Sequence, residues 1–471
     1  MPKPLLYGDD APISALATPP GESALALIRI SGPGAIPLLA QAFSRPQSLL
    51  GAKHRVLHGW ILKPQAERTG RREEDAIDEV VLTISPSPGS FTGEDTVDIC
   101  CHGGSTPARG ILTALRAVGF RDALPGEFSF RAFMNGKLDL TRAESIMELV
   151  SAKTDKGRER AIGRLSGQLA REIREINGLL VEALAKAELF LDYSEDEAGE
   201  DPEQALDTEL MEQALQRLRT LGGAYLRELL YQEGALVVLA GRPNAGKSSL
   251  YNALLGEDRA IVNETPGTTR DWIESWIAME GIPLRVVDTA GLRESALPIE
   301  SIGIERSWEL VERANLVLYL LDGETGLTEE DRDNLSRWSD PTRIILWNKC
   351  DLQDLPVALS EELAQPILAV SALTGAGLPE LCAGIVAALS AVPVASLRED
   401  SPGPGTARQK SLIDQAIHAV EEALLLHRQG EALDFIAPLL REGIEALGEI
   451  TGEVTTADIL EAMFSRFCVG K

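Results

Sequence analysis

Between positions 235 and 390 the apolar residues come in short unbroken runs, Leu236–Leu239, Leu316–Leu321, Ile344–Trp347 and Ile367–Val370, and Arg285–Val287 reads as a further strand. Strand-length runs without polar alternation predict strands buried on both faces, as in a parallel sheet. The preceding part reads differently. Ser23–Ile30 is a strand candidate broken by Ser31-Gly32-Pro33-Gly34, and Ala35–Ala42 reads as a helix. Glu79–Ile84 and the alternating Thr96–Cys101 read as strands, and Pro107–Val118 as a helix with its proline in the first turn. Gly126 and Gly136 then flank an aromatic segment. From there the period changes. Ile162, Leu165, Leu169, Ile173, Ile176 and Leu180 recur at spacings of three and four, which predicts one long amphipathic helix. Ser194–Glu203 reads as a solvated acidic loop. Leu210–Leu230, Ser411–His427 and Ile436–Leu447 carry further helical patterns, with Ser401–Gly405 as a linker.

Two sets of helices therefore flank an α/β segment, and neither is expected to bury its apolar stripe alone. The economical architecture is a discontinuous helical domain, 138–233 and 391–471, with an α/β domain at 234–390 inserted into it. A mixed α+β domain at 1–137 precedes both.

At 471 residues several domains are expected, and 44% apolar with 25% charged residues is the composition of a soluble globular protein. No apolar run approaches the ~20 residues of a membrane span, and the first ten residues lack the apolar core of a signal peptide. Five cysteines without a CxxC suit a reducing cytoplasm. A formal charge of −27 repels phosphate backbones at long range, so tight direct binding of nucleic acid would need a local basic patch or a basic partner.

The chemistry-bearing stretch is Gly241-x-x-x-x-Gly246-Lys247-Ser248, set between the run Leu236–Leu239 and a helical segment, Ser249–Leu255, ending near Gly256. Strand, glycine loop and helix form a phosphate-binding loop: backbone N–H groups turn inward, Lys247 reaches the terminal phosphates and the Ser248 hydroxyl can ligate Mg²⁺. Downstream parts follow in order. Thr268 and Thr269, in the loop Asn263–Asp271, can complete the Mg²⁺ shell and sense a γ-phosphate. Asp288, at a strand end in Asp288-Thr289-Ala290-Gly291, can hold a Mg²⁺-bound water, and the Gly291 N–H can meet the γ-phosphate. In Asn348-Lys349-Cys350-Asp351 a carboxylate at Asp351 can accept both guanine N–H donors, a pair that adenine lacks. The backbone of Ser371-Ala372-Leu373 can meet the guanine oxygen. These ordered motifs specify a GTPase domain.

The position after DxxG is Leu292, which cannot orient water as a Ras-type glutamine does. No arginine finger is evident. Asn244 can help hold a monovalent cation beside the phosphates, and Glu300 can either polarise a water or simply face solvent. In the N-terminal part, Arg29, Asp98 and Lys137 are polar residues in strands or in turns between strands. Arg29, inside an apolar strand, needs an ion partner or an anionic ligand, Asp98 faces the side opposite Val97 and Ile99, and each of the three also reads as a solvated or ion-paired position. Cys100 and Cys101 face opposite sides of one strand, and His102 reads as a turn histidine. Cys468, three residues from the end, is either a nucleophile or a small terminal residue.

GRPNAGKSSL, GTTRD, DTAGLRE, GIERSW, SFTGED, PGEFSFRAF, KLDLTRAE, ITGE and the terminal FCVGK together resemble the signatures of the MnmE (TrmE) family of tRNA-modification GTPases, over nearly the whole chain. The resemblance implies an N-terminal domain that binds a tetrahydrofolate derivative (5-formyl or 5,10-methylene), a discontinuous helical domain and an inserted Ras-like GTPase domain. It also implies a cytoplasmic homodimer acting with the flavoprotein MnmG (GidA). That complex installs a (carboxymethyl)aminomethyl group at C5 of the wobble uridine, with tRNA held largely by the partner. GTP hydrolysis would depend on K⁺-assisted association of the two GTPase domains. Carried onto this sequence, the K⁺ positions are Asn244, Asn263, Thr265 and Thr268, the Mg²⁺ ligands Ser248 and Thr269, and the catalytic carboxylate Glu300. Nucleotide contacts fall on Asn244, Ala245, Gly246, Lys247, Ser248 and Ser249; on Asn263, Glu264, Thr265, Pro266, Gly267, Thr268 and Thr269; on Asp288, Thr289, Ala290 and Gly291; and on Asn348, Lys349, Asp351, Ser371 and Ala372. Folate contacts fall on Arg29, Asp98, Lys137 and Lys471, and Cys468 matches the terminal cysteine. Asp98 stands where a longer glutamate is expected, which implies a water bridge. Pro266 stands in the K⁺ loop in place of a small residue. The alternative function is a regulatory GTPase such as a ribosome-assembly factor, although the basic RNA-binding module usual in such proteins is not seen in this acidic chain.

Overall fold

A computed structural model describes residues 7, 10–51, 54–192, 206–259, 274–288, 310–337, 342–363, 365–390 and 403–470. The chain forms two compact units, 1–147 with 441–471, and 148–440.

The first unit is built on a six-stranded sheet in the order β3-β4-β5-β2-β1-β6. Its strands are β1 Ile13–Leu16, β2 Leu25–Ser31, β3 Arg55–Leu62, β4 Ala76–Ser85, β5 Thr96–His102 and β6 Arg121–Asp122. All pairings are antiparallel except β1 with β6. Period-2 alternation divides the sheet into two faces. Ile28, Ile30, Leu82, Ile84, Val97 and Ile99 point into a core capped by helices α1 Ala35–Ala42 and α2 Ser105–Ala117. Leu25, Val56 and Val81 stand exposed on the other face, with Arg29, Asp98 and Cys100 half-buried among them.

The aromatic segment forms a helix, α3 Glu127–Met134, followed by α4 Leu140–Ser151. Lys137 therefore lies in a turn between two helices, a correction to its expected place between strands. Phe130 and Phe133 pack with Tyr7, Leu140, Phe464 and Phe467, so the last helix of the chain, Ala457–Phe464, belongs to this core. Gly126 has φ 67°, and a Cβ there would lie 2.4 Å from the Phe464 carbonyl oxygen. Only glycine tolerates both constraints.

The second unit combines a helical frame with a second six-stranded sheet, β12-β11-β10-β7-β9-β8. Its strands are β7 Ala235–Gly241, β8 Glu274–Met279, β9 Ile282–Asp288, β10 Leu316–Asp322, β11 Arg343–Asn348 and β12 Ile367–Ala369. All pairings are parallel except the β8–β9 hairpin. Val237, Leu239, Leu318 and Leu320 pack on one side, and Val238, Ala240, Val317 and Tyr319 on the other. Burial on both faces is what the unbroken apolar runs required.

In the frame, the expected long helix is two: α5 Asp155–Leu165 and α6 Gln168–Asp192. The break falls at Gly167, whose φ of 85° cannot continue a right-handed helix. The pattern Leu210–Leu230 likewise splits, into α7 Thr208–Gly223 and α8 Tyr225–Glu233. The α8 helix runs through Gly234 directly into β7. After the phosphate loop comes α9 Lys247–Arg259, and beyond the sheet come α10 Glu329–Arg337, α11 Leu378–Ser390 and α12 Ala407–Arg428.

A buried polar centre joins these elements. Arg164, fully buried, donates to Glu148 at 2.6 Å and to the equally buried Glu228 at 2.7 Å. It also approaches the Gly403 carbonyl oxygen at 3.4 Å. One arginine thus holds α8, which leads into the parallel sheet, and the segment that follows that sheet. Its guanidinium is held above the ordinary arginine range: burial opposes the charge, but Glu148 and Glu228 outweigh it.

Candidate functional site: the phosphate loop and the open sheet face

The phosphate loop leaves the C-terminal end of β7, where Gly241 (φ 138°), Asn244 (φ 66°) and Gly246 (φ 92°) take positive φ. A Cβ on Gly246 would lie 2.1 Å from Asn348 Nδ2, and one on Gly241 2.5 Å from the Leu320 carbonyl oxygen. The two glycines of the motif are thus fixed by close approach as well as by dihedral. Lys247 Nζ donates to the carbonyl oxygens of Gly241 and Arg242, at 2.8 and 2.7 Å. Ser248, at the start of α9, donates its hydroxyl to Asp288 Oδ2 at 2.6 Å, and Asp288 is buried at the end of β9. Ser249 is exposed on the same turn and Ala245 is buried.

The base-recognition motif is tied to this loop. Asn348, buried at the end of β11, donates to the Ala245 carbonyl oxygen at 2.7 Å and accepts from the Ala372 N–H at 3.3 Å. One side chain therefore joins the phosphate loop to the Ser371-Ala372 segment. Lys349 (φ 64°) lies between Glu324 at 2.7 Å and Asp322 at 3.0 Å. Its hydrogen bond to Glu324, with that to Asp322, holds its ammonium above the ordinary lysine range. Asp351 is exposed and Ser371 fully buried. The structure thus gathers Asn244, Lys247, Ser248, Asp288, Asn348 and Ala372 at one end of one sheet, the place where parallel α/β sheets bind ligands. Asn263, Glu264, Thr265, Pro266, Gly267, Thr268, Thr269, Thr289, Ala290, Gly291, Leu292, Glu300 and Lys471 lie outside the described residues.

The comparisons with known proteins decide the family. Residues 140–468 match the family described as MnmE helical domain, and residues 12–137 the family described as GTP-binding protein TrmE N-terminus. A protein of Treponema denticola named tRNA modification GTPase MnmE is 40% identical over 99% of each chain. The protein of that name from Heliobacterium modesticaldum is 40% identical over 98% of this chain and 99% of its own. The chain belongs to the MnmE family.

The second set of candidate residues of this MnmE-family chain lies on the open face of the first sheet. Arg29 and Asp98 are register partners across β2 and β5. Their side chains form a two-point ion pair, Nε to Oδ1 at 2.8 Å and Nη2 to Oδ2 at 3.2 Å. The guanidinium stands 5.9 Å from the centre of the Phe91 ring. Phe91 belongs to the loop Ser90–Glu94, whose Thr92 carbonyl oxygen accepts from Asn135 at 2.7 Å. A Cβ on Gly93 of that loop would lie 3.4 Å from Lys137 Cε. Arg29 and Lys137 therefore border one loop, and Asp98 is joined to it through Arg29. The Cys468 carbonyl oxygen accepts from the Gly126 N–H at 3.3 Å, and the Cys468 residue is exposed. A Cβ on Gly470 would lie 2.8 Å from Ala17 Cα, beside the β1–β2 connection.

Sequence reasoning missed the support behind this face. Ser31 donates to Glu94 at 2.9 Å, and Glu94 and Glu127 both accept from Arg131, at 3.1 and 2.9 Å. Arg131 sits inside the aromatic helix α3, and a charge among buried rings was the available signal. Burial pushes the Glu127 carboxyl up, but the bonds from Arg121, Leu124 and Arg131 outweigh this and hold it below the usual carboxylate range. Burial pushes the Cys101 thiol up to about 11, so Cys101 is an inert core residue. His102 ends β5, where its Nδ1 lies 2.7 Å from Asp78 Oδ1.

Proposed function

We propose that this chain hydrolyses GTP as a component of tRNA modification. The observation that carries the reading is the join at the phosphate loop: Ser248 on Asp288 at one side, and Asn348 bridging Ala245 and Ala372 at the other. On this reading phosphate, metal and base recognition share one end of the parallel sheet, at the adjoining ends of β7, β9 and β11. The hydroxyl of Ser248 and the carboxylate of Asp288, 2.6 Å apart, are hard oxygen donors suited to Mg²⁺ and its water shell. A bound Mg²⁺ would supply charge stabilisation on the phosphates. Lys247 neutralises the terminal phosphates, and the loop N–H groups orient them. Leu292 cannot position water; the family resemblance gives that task to Glu300, and Asn244, Asn263, Thr265 and Thr268 would hold K⁺ in the place of an arginine finger.

The finer reading covers the substrate. The product is an aminomethyl-type group at C5 of the wobble uridine, made with a one-carbon unit from a tetrahydrofolate derivative and together with a flavoprotein partner. Arg29, Lys137 and Lys471 are cations suited to the glutamate tail or the pterin carbonyl of a folate, and Asp98 is suited to a pterin amine. The shape of the Arg29–Asp98–Phe91 group supports this. A homodimer would place two such sites in one particle.

The test is GTP turnover per chain against protein concentration in KCl and in NaCl, for the wild type and Glu300→Ala. A rate that climbs with concentration in K⁺ alone and collapses in the variant is expected. A rate indifferent to both salt and Glu300 would overturn the cation mechanism.

A further inference from the structure

The β8–β9 hairpin has two functional ends. Near one, β9 delivers Asp288 to Ser248, and β8 begins three residues after the sequence motif Asn263–Asp271. The other end is the turn Glu280–Gly281, where both residues take positive φ. Six or seven strand residues separate these ends, about 20 Å. The turn does not face solvent alone. Thr154 donates its hydroxyl to the Gly281 carbonyl oxygen at 2.7 Å, and Thr154 Oγ1 accepts from the Gly157 N–H at 3.2 Å as the N-cap of α5. One hydroxyl thus serves both the hairpin turn and the first turn of the helix. Lys153 places its ammonium 3.4 Å from the centre of the Trp276 ring on β8 and donates to the Glu233 carbonyl oxygen at 3.3 Å. A Cβ on Gly281 would lie 2.6 Å from the Lys156 side chain, and one on Gly157 2.9 Å from the Tyr231 carbonyl oxygen. The hairpin turn, α5 and α8 are therefore in direct contact with no slack.

The same helix grips the lead-in to the phosphate loop. Arg160 lies 4.5 Å over the Tyr231 ring and pairs with Glu228 at 2.5 Å, one turn before Arg164. Tyr231 and Glu228 belong to α8, which continues into β7. So α5 touches the hairpin whose far end carries Asp288, and also the helix α8 that leads into the strand bearing the phosphate loop.

We propose that α5 reads the nucleotide state of the GTP domain. Lys153 and Thr154 are positioning residues that hold the hairpin turn, and a shift of the hairpin on exchange of GDP for GTP releases or tightens the Thr154 cap. The two states of the element are a closed and a frayed first turn of α5. This rests on the GTP-hydrolysis reading.

The experiment is hydrogen–deuterium exchange of the full chain without nucleotide, with GDP, and with a non-hydrolysable GTP analogue. In the wild type, amides in the first turn of α5 should differ about tenfold in exchange rate between the GDP and analogue states. Thr154→Val should abolish that difference while the phosphate-loop peptide stays protected by either nucleotide, and Thr154→Ser should restore it. Protection of the phosphate loop with no nucleotide response in wild-type α5 overturns the proposal and leaves the GTP reading standing. The same holds if the response survives in Thr154→Val. No protection of the phosphate loop by either nucleotide overturns both. The wild-type measurement decides the matter even if the valine variant does not fold.

Discussion

The two six-stranded sheets solve opposite problems. The parallel sheet of the second unit is covered on both faces, so its chemistry is confined to strand ends: Gly241, Asp288 and Asn348 are each the last residue of a strand. The largely antiparallel sheet of the first unit has one face fully covered; among the described residues the other is covered at β1, where Ile13 and Ala15 pack with Phe128, and its candidate chemistry, Arg29 with Asp98, stands in mid-strand beside that cover. A strand end can present backbone N–H groups and a helix terminus together, which suits phosphate. A sheet face presents side chains at fixed spacing, which suits a flat ligand with polar edges. If this contrast is right, damage at a strand end should remove function by misplacing backbone, and damage on the open face should remove function with little effect on the fold.

Gly246→Ala should give the largest effect. Its Cβ meets Asn348 Nδ2 at 2.1 Å, and its φ of 92° disfavours any side chain. Displacing the loop by a fraction of this clash should cost roughly two orders of magnitude or more in GTP affinity. Titration with a fluorescent GTP analogue checks this, alongside binding of a tetrahydrofolate derivative, which should be unchanged. A variant that keeps its GTP affinity would break the strand-end half of the comparison.

Next in size is a pair of arginines. Arg164→Met takes their shared cation from the buried Glu148 and Glu228, leaving Glu228 to Arg160, and should destabilise the second unit by about 3 kcal/mol. Arg29→Met breaks a pair in which both side chains keep partial access to water, at 22% and 28% exposure, and should cost about 1 kcal/mol or less. On the folate reading proposed above, affinity for a tetrahydrofolate derivative should nevertheless fall at least tenfold in Arg29→Met. Urea unfolding and calorimetric titration of both variants give the two numbers. Equal stability losses would mean that Arg29 is a structural residue and that the open face is no site.

The same contrast decides what could be read from the sequence. Strands of the parallel sheet were legible where burial on both faces leaves no charged residue to confuse the period, as in the run Leu316–Leu321. The phosphate loop was legible because its glycines are required by φ. The strands Arg55–Leu62 and Glu274–Met279 were not legible, since each lies at a sheet edge and mixes charged with apolar residues. The helix break at Gly167 was hidden because the apolar spacing continues across it. Arg164 was invisible for another reason: it meets Glu148, Glu228 and Gly403 at sequence separations of 16, 64 and 239. Arg29 and Asp98 were visible as polar positions in apolar strands, but their pairing depends on a register between strands 69 residues apart.

The smallest expected effects are two pH dependences of opposite sign within the first unit, one behind the open face and one at its edge. Glu127, fully buried, has a carboxyl held below the usual range, because the bonds from Arg121, Leu124 and Arg131 overcome its burial. A depressed folded value stabilises the fold at every pH above the ordinary glutamate pKa, and that contribution fades as pH falls through the folded value. Acid unfolding of the wild type should therefore steepen below about pH 4, and Glu127→Gln should flatten that limb while lowering stability at neutral pH. At the exposed edge, the hydrogen bond from Asp78, with its charge, holds His102 above the ordinary histidine range. A raised folded value stabilises the fold below about pH 6.5, and the contribution is lost as pH rises through the folded value. In an NMR titration, the His102 ring should titrate above the ordinary histidine midpoint, and Asp78→Asn should bring it back. If His102 titrates at the ordinary value in the wild type, the 2.7 Å contact to Asp78 is not a charged pair in solution, and the edge of the open face carries less fixed charge than its geometry implies.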